Sequence, residues 1–174
     1  MAVTLQLARV TAEYLASCRQ SADTSPDGDH RWHPPAADVL DLDWAPSLLQ
    51  RVCELGDLDD VHRDALGQAL DGDTANDVAF LNTHPHGIAA FGPDPTALSA
   101  AEVVRVAQLL GHIDFPALLA ALPADEAEAA CLIGNDADKI VGGPKKYLLR
   151  HFDALREFYR AAARRRLLVV LWWD

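Results

Sequence analysis

Residues 145–174 read KKYLLRHFDALREFYRAAARRRLLVVLWWD. Leu148, Leu149, Phe152, Leu155, Tyr159 and Ala162 recur at steps of three and four, while Arg150, Asp153, Arg156, Glu157, Arg160 and Arg164 fall largely on the opposite side. That periodicity predicts an amphipathic helix, and Pro144 stands where a first-turn proline would. The helix runs into Leu167–Trp173, where every residue is apolar. A strand wetted on one face alternates, so this run predicts a strand buried on both faces, inside a sheet. Burial of each large side chain contributes on the order of 1.5–3 kcal/mol before chain entropy opposes it. A helix that delivers an inner strand is the element around which the rest must pack.

Working outward, Val3–Val10 alternates and predicts a half-buried strand. Thr11 caps a short helix carrying Tyr14, Leu15 and Cys18. Residues 19–38, with Pro26, Gly28, Pro34 and Pro35, predict a long Pro/Asp-rich loop at about 20–38. Helices are expected after Pro46, closed by Gly56, and over Leu58–Leu70, with Val61 on its apolar face and Asp71-Gly72-Asp73 ending it. Val78–Leu81 and Ile88–Phe91 suggest a hairpin or two strand fragments. Ser99-Ala100-Ala101-Glu102 is a capping box, with Leu98 and Val103 as its hydrophobic staple. The helix it opens is expected to end at Gly111. A short one follows Pro116, and residues 134–143 read as loop. The expected fold is α+β: one domain over residues 1–174, several short helices on a small mixed sheet, with strand 167–173 buried in it.

Half of the 174 residues are hydrophobic, and the formal net charge is −11. Residues 1–138 carry 6 basic and 23 acidic side chains, whereas residues 139–174 carry 9 and 3. An acidic body opposes general nucleic-acid binding, which depends on phosphate contacts. No apolar run approaches the roughly 18 residues of a membrane span. Met1–Val10 has no basic, apolar leader. Cys18, Cys53 and Cys131 are widely spaced in apolar helical contexts, so buried reduced thiols and a cytoplasmic location are expected.

The chain resembles the YfbM-like family, bacterial proteins built on a domain of unknown function. The matching pieces are Glu157-Phe158-Tyr159 before the terminal strand, Phe91-Gly92-Pro93 leading into Leu98–Val103, Leu40-Asp41-Leu42-Asp43 before a helix, and Val10-Thr11-Ala12-Glu13 after the first strand. The chain departs from the family in its early Trp44, in Ser47-Leu48-Leu49 without a histidine, and in Arg164-Arg165-Arg166 where the family has a glycine-containing turn. The resemblance implies a fold and carries no activity.

Two clusters stand out chemically. In His84-Pro85-His86 two imidazoles lie within reach of one metal if the backbone is extended, and the competing reading is a proline-stiffened turn. Residues 27–33 gather Asp27, Asp29, His30, Trp32 and His33, the makings of a binding or acid–base site or of a solvated loop. Asp71–Asp77 fails the calcium-loop pattern, its glycine misplaced and its closing glutamate absent. Gly142-Gly143-Pro144-Lys145-Lys146 places amides and lysines at a helix start, a weak anion site beside the simpler reading as a turn. With no complete catalytic signature, the function is not legible. The favoured reading is a non-enzymatic module that binds a basic protein partner, for which an immunity-type or regulatory role fits; the alternative is a metal-assisted hydrolase using His84 and His86. No cofactor is expected.

Overall fold

The first and last strands of the chain lie side by side. The computed structural model describes residues 3–89 and 92–174. In chain order its elements are β1 (Leu5–Val10), α1 (Ala12–Thr24), β2 (Val39–Asp41), α2 (Ala45–Leu55), α3 (Asp60–Asp71), β3 (Thr96–Leu98), α4 (Ala100–His112), α5 (Phe115–Ala120), α6 (Glu126–Ile133), α7 (Pro144–Arg164) and β4 (Leu168–Trp173). The sheet order is β2-β1-β4-β3. β4 is therefore an inner strand, as its unbroken apolar run requires. β1 and β4 pair from Leu5↔Trp173 to Val10↔Leu168, and Thr4 and Asp174 extend the ladder with reciprocal bonds of 2.7 and 3.0 Å. Every pairing is antiparallel, so the sheet is not mixed. Each connection leaves the sheet and re-enters it at the same end, so no parallel crossover is needed.

The period-2 rule sends alternate residues of β1 and β4 to opposite faces. Leu5, Leu7, Val169 and Leu171 enter the larger core beneath α2, α3, α4, α5, α6 and α7. Ala8, Val10, Val170 and Trp172 enter a smaller core beneath α1 and two loops. α7 buries Leu148, Phe152, Leu155, Tyr159 and Ala162 on the face that its periodicity marks. Tyr159 has no exposed surface, and its hydroxyl donates to the Ala69 carbonyl at 2.9 Å, so burial leaves no polar atom unpaired there.

α7 ends in a Schellman turn. Leu167 N–H donates to Ala162 O at 2.9 Å and Arg166 N–H to Ala163 O at 3.1 Å, with Arg166 in the left-handed region at φ 55°. Arg9 (2.8 Å) and Arg165 (2.5 Å) share the Asp38 carboxylate and tie this turn to the segment before β2. α4 begins with the full capping box, Ser99 N–H donating to Glu102 at 2.6 Å.

Local reading misplaced several elements. The helix capped by Thr11 is longer than expected: α1 runs to Thr24, so the irregular stretch is 25–35 rather than 20–38; its only buried side chain is Cys18, too little periodicity to announce the helix's length. Val78–Leu81 is no strand: Ala79–Asn82 forms a 3-10 turn. Ile88 lies outside any strand, and Phe91 lies outside the described residues. β2 and β3, three residues each, are too short to show a pattern, and they form because β1 and β4 offer open edges. Gly111 sits inside α4, which ends at His112. Val61 is 59% exposed, not core. Asp73 pairs with Ala97 in an isolated bridge, so the Asp71–Asp77 segment closes a helix onto the sheet. Cys18 and Cys53 are buried free thiols, and burial pushes Cys53 up to about 12; Cys131 is exposed, against expectation. Among the described residues no helix is long and apolar enough to cross a membrane.

Candidate functional site

The two loops singled out by composition meet on the second face of the sheet. Residues 25–35 are folded by their own side chains. Asp27 accepts from Asp29 N–H at 3.4 Å, Asp29 from Arg31 N–H at 2.8 Å, and His30 Nδ1 from Trp32 N–H at 3.1 Å. These are the short-range bonds by which aspartates make turns. Gly28 sits at φ 75°, with Thr83 of the other loop against it. That second loop turns through a bond from His86 N–H to Thr83 O at 2.9 Å and contains a cis His84–Pro85 peptide.

His30 is buried, and both its ring nitrogens are used. Since Nδ1 accepts from Trp32, Nε2 carries the proton and donates to the His86 carbonyl at 2.7 Å. His86 Nε2 in turn lies 3.1 Å from Asp27 Oδ2. Bonds from Ser25, at 2.5 Å, and from His86 hold the Asp27 carboxyl down at about 2. Trp32 lies beneath, packed between Tyr14 (ring centroids 5.7 Å apart) and Trp172 (6.1 Å, edge to face). It anchors the loop to its own sheet rather than being displayed to a partner. Its indole Nε1 is buried without a hydrogen-bond partner among the described residues.

Asp27, His30 and His86 thus come together, with Trp32 as their floor. His84 and His33 are exposed, and Asp29 bonds only within its own loop. His33 is held through its backbone, its N–H donating to Tyr14 Oη at 2.8 Å. Among the described residues no group of three or more His, Cys, Asp or Glu side chains is placed to hold a metal. The arrangement is a brace between two loops: its polar atoms are spent on one another.

A second constellation escaped the sequence reading. The Tyr147 hydroxyl donates to Asp43 Oδ2 at 3.0 Å, and burial, reinforced by that carboxylate, pushes Tyr147 up to about 12. His151 is buried beside it, ring centroids 4.3 Å apart, and accepts from Arg150 Nη2 at 3.2 Å. Burial, with the neighbouring Arg150 charge, pushes this imidazole down. The same turn of α7 lines an open groove of about 540 Å3 with Val141, Gly142, Lys146 and Arg150. The signal was hard to find because Asp43 and Tyr147 are 104 residues apart; only the Leu40–Asp43 segment marked the place.

The suggested anion site at the start of α7 is taken by the chain itself. Glu126 Oε2 accepts from Lys145 N–H at 3.5 Å, while the Lys145 ammonium binds the Pro123 carbonyl. Gly143, at φ 90°, leaves room for that carboxylate: a Cβ there would lie 2.6 Å from Glu126 Oε2.

Residues 1–172 match the family model of a domain of unknown function, DUF1877. The fold is similar to the crystal structure of YfbM, a protein of unknown function from Escherichia coli, with a TM-score of 0.55 at 15% identity over 97% of this chain and 98% of that one. No curated protein matches the chain.

Proposed function

The chain belongs to the DUF1877 family, a domain of unknown function, and we propose that this member is a non-catalytic module that binds a basic protein through its acidic surface. One observation carries the reading: most of the cations are paired internally, whereas many of the carboxylates are not. Arg9 and Arg165 pair with Asp38, Arg19 with Asp77, Arg51 with Glu54, Arg63 with Asp60, Lys145 with Glu126, Arg156 with Asp153, and Arg160 and Arg164 with Glu157. Asp57, Asp64, Asp71, Asp114, Glu128 and Asp138 are exposed and in no ion pair among the described residues. The basic tail is therefore largely compensated at home, and the surplus of −11 faces outward. Such a field raises the encounter rate with a basic partner and weakens as salt screens it.

The candidate acid–base groups support the same reading, since His30, His86 and Asp27 are committed to one another. The buried free thiols Cys18 and Cys53 suit the reducing bacterial cytoplasm. The test is capture of a partner by tagged protein at low salt, followed by association kinetics against ionic strength. The on-rate is expected to fall steeply with salt and to drop several-fold in an Asp57→Asn, Asp64→Asn, Asp114→Asn variant of unchanged melting temperature. No reproducible partner, or a salt-independent on-rate, refutes the reading.

A further inference from the structure

The second face of the sheet is only partly covered. Between α1, residues 76–78 and the β3–α4 junction lies a groove of about 290 Å3. Leu15, Val78, Ala97 and Leu168 form much of its wall, and Arg166 stands at its edge. Arg166 is exposed and in no ion pair or side-chain hydrogen bond among the described residues. It is also the residue of the Schellman turn held at φ 55°, a position where glycine is unstrained and any other side chain costs stability. The chain keeps a guanidinium where turn geometry favours none, and a strained residue beside a cavity points to a role for its side chain.

We propose that this groove binds a short aliphatic monocarboxylate, its chain against Leu15 and Leu168 and its carboxylate on Arg166. Apolar walls with one convergent charge are the usual make-up of a small-ligand site. A guanidinium takes a carboxylate with two parallel bonds. At about 290 Å3 the groove lies at the small end of ligand pockets, which suits a short-chain acid such as octanoate. The neighbouring acids limit the charge of the ligand. Asp77 is held by Arg19 at 3.1 Å, and Glu102 by Ser99 N–H at 2.6 Å and Asn76 at 3.1 Å. These leave Arg166 as the groove's uncommitted cation and oppose a dianion. The proposal does not depend on the protein-binding reading above.

The experiment is titration of the full chain with octanoate, octanol and octylamine by calorimetry and amide NMR, using Arg166→Gly and Leu15→Trp. Octanoate is expected to bind and to shift amides of residues 76–78 and 97–100; octanol and octylamine are expected to bind at least tenfold more weakly. Arg166→Gly, whose backbone is relieved of strain, should melt no lower than the parent yet bind octanoate at least tenfold more weakly, and Leu15→Trp should block binding. Arg166→Gly binding as tightly as the parent, equal affinity for octanol, or no octanoate binding overturns the proposal. So does tighter binding of an apolar tripeptide with a free carboxylate, which would assign the groove to a chain end instead.

Discussion

The two faces of one four-stranded sheet are covered by different physics. Six helices cover the first, and its cohesion is apolar: Phe115 stacks on Phe152 at 4.3 Å, and Tyr159 has its hydroxyl satisfied. The second is covered by α1, with Cys18 as its only fully buried side chain, and by two loops pinned through Trp32 and the His30–His86–Asp27 chain of bonds. Apolar packing is non-directional and spread over many side chains, so it degrades gradually. A brace of three polar groups is directional, and each bond in it depends on one placed partner. The second face should therefore open at a lower free energy than the first.

The largest effect tests the first face. Phe152→Ala removes a fully buried ring from its stack and should cost about 3–5 kcal/mol, read as a lowered urea midpoint at unchanged slope. A loss below about 1 kcal/mol would show that the helical face is not the main source of cohesion. Trp32→Ala comes next, at about 2–3 kcal/mol, less than a well-satisfied tryptophan because the unpartnered indole N–H, buried at a cost, goes with the ring. Trp32→Phe should be near neutral for the same reason. In hydrogen exchange, Trp32→Ala should expose residues 25–35 and 83–89 first while α7 and β4 stay protected. Equal loss of protection in α7 would make the two faces a single cooperative unit and dissolve the contrast.

The contrast also decides what could be read from residues alone. Leu148 to Ala162 and Leu167 to Trp173 declare their burial by period, and Ser99 with Glu102 declares a helix start, because helix stripes, inner strands and caps are local rules. The second face has no such rule. Tyr14, Leu15 and Cys18 mark α1 only faintly, and β2 and β3 exist because neighbours offer open edges. The brace was half legible: composition picked out Asp27, His30, Trp32 and His86, but their roles depend on which ring nitrogen meets which carbonyl 56 residues away. Tyr147 and Asp43 were illegible for the same reason, each unremarkable until the fold brings them together.

The smallest effect probes the outer end of the brace. Folding lowers the Asp27 carboxyl from 3.8 to about 2, so the folded state favours its ionised form. That contribution is complete above roughly pH 4, shrinks as pH falls from there, and is absent below about 2. An Asp27→Asn variant should therefore melt lower than the parent at pH 6, with the gap closing steadily between pH 4 and pH 2. The carboxylate is 59% exposed, so salt screens it, and the gap should narrow in 0.5 M sodium chloride, where the screening length is about 4 Å. His86 keeps its backbone bond from His30 in the variant, so the inner end of the brace is untouched. A gap that persists unchanged to pH 2 would mean that Asp27 acts through its shape, as the acceptor that turns residues 27–29, and that the second face is held by turn geometry and Trp32 rather than by charge.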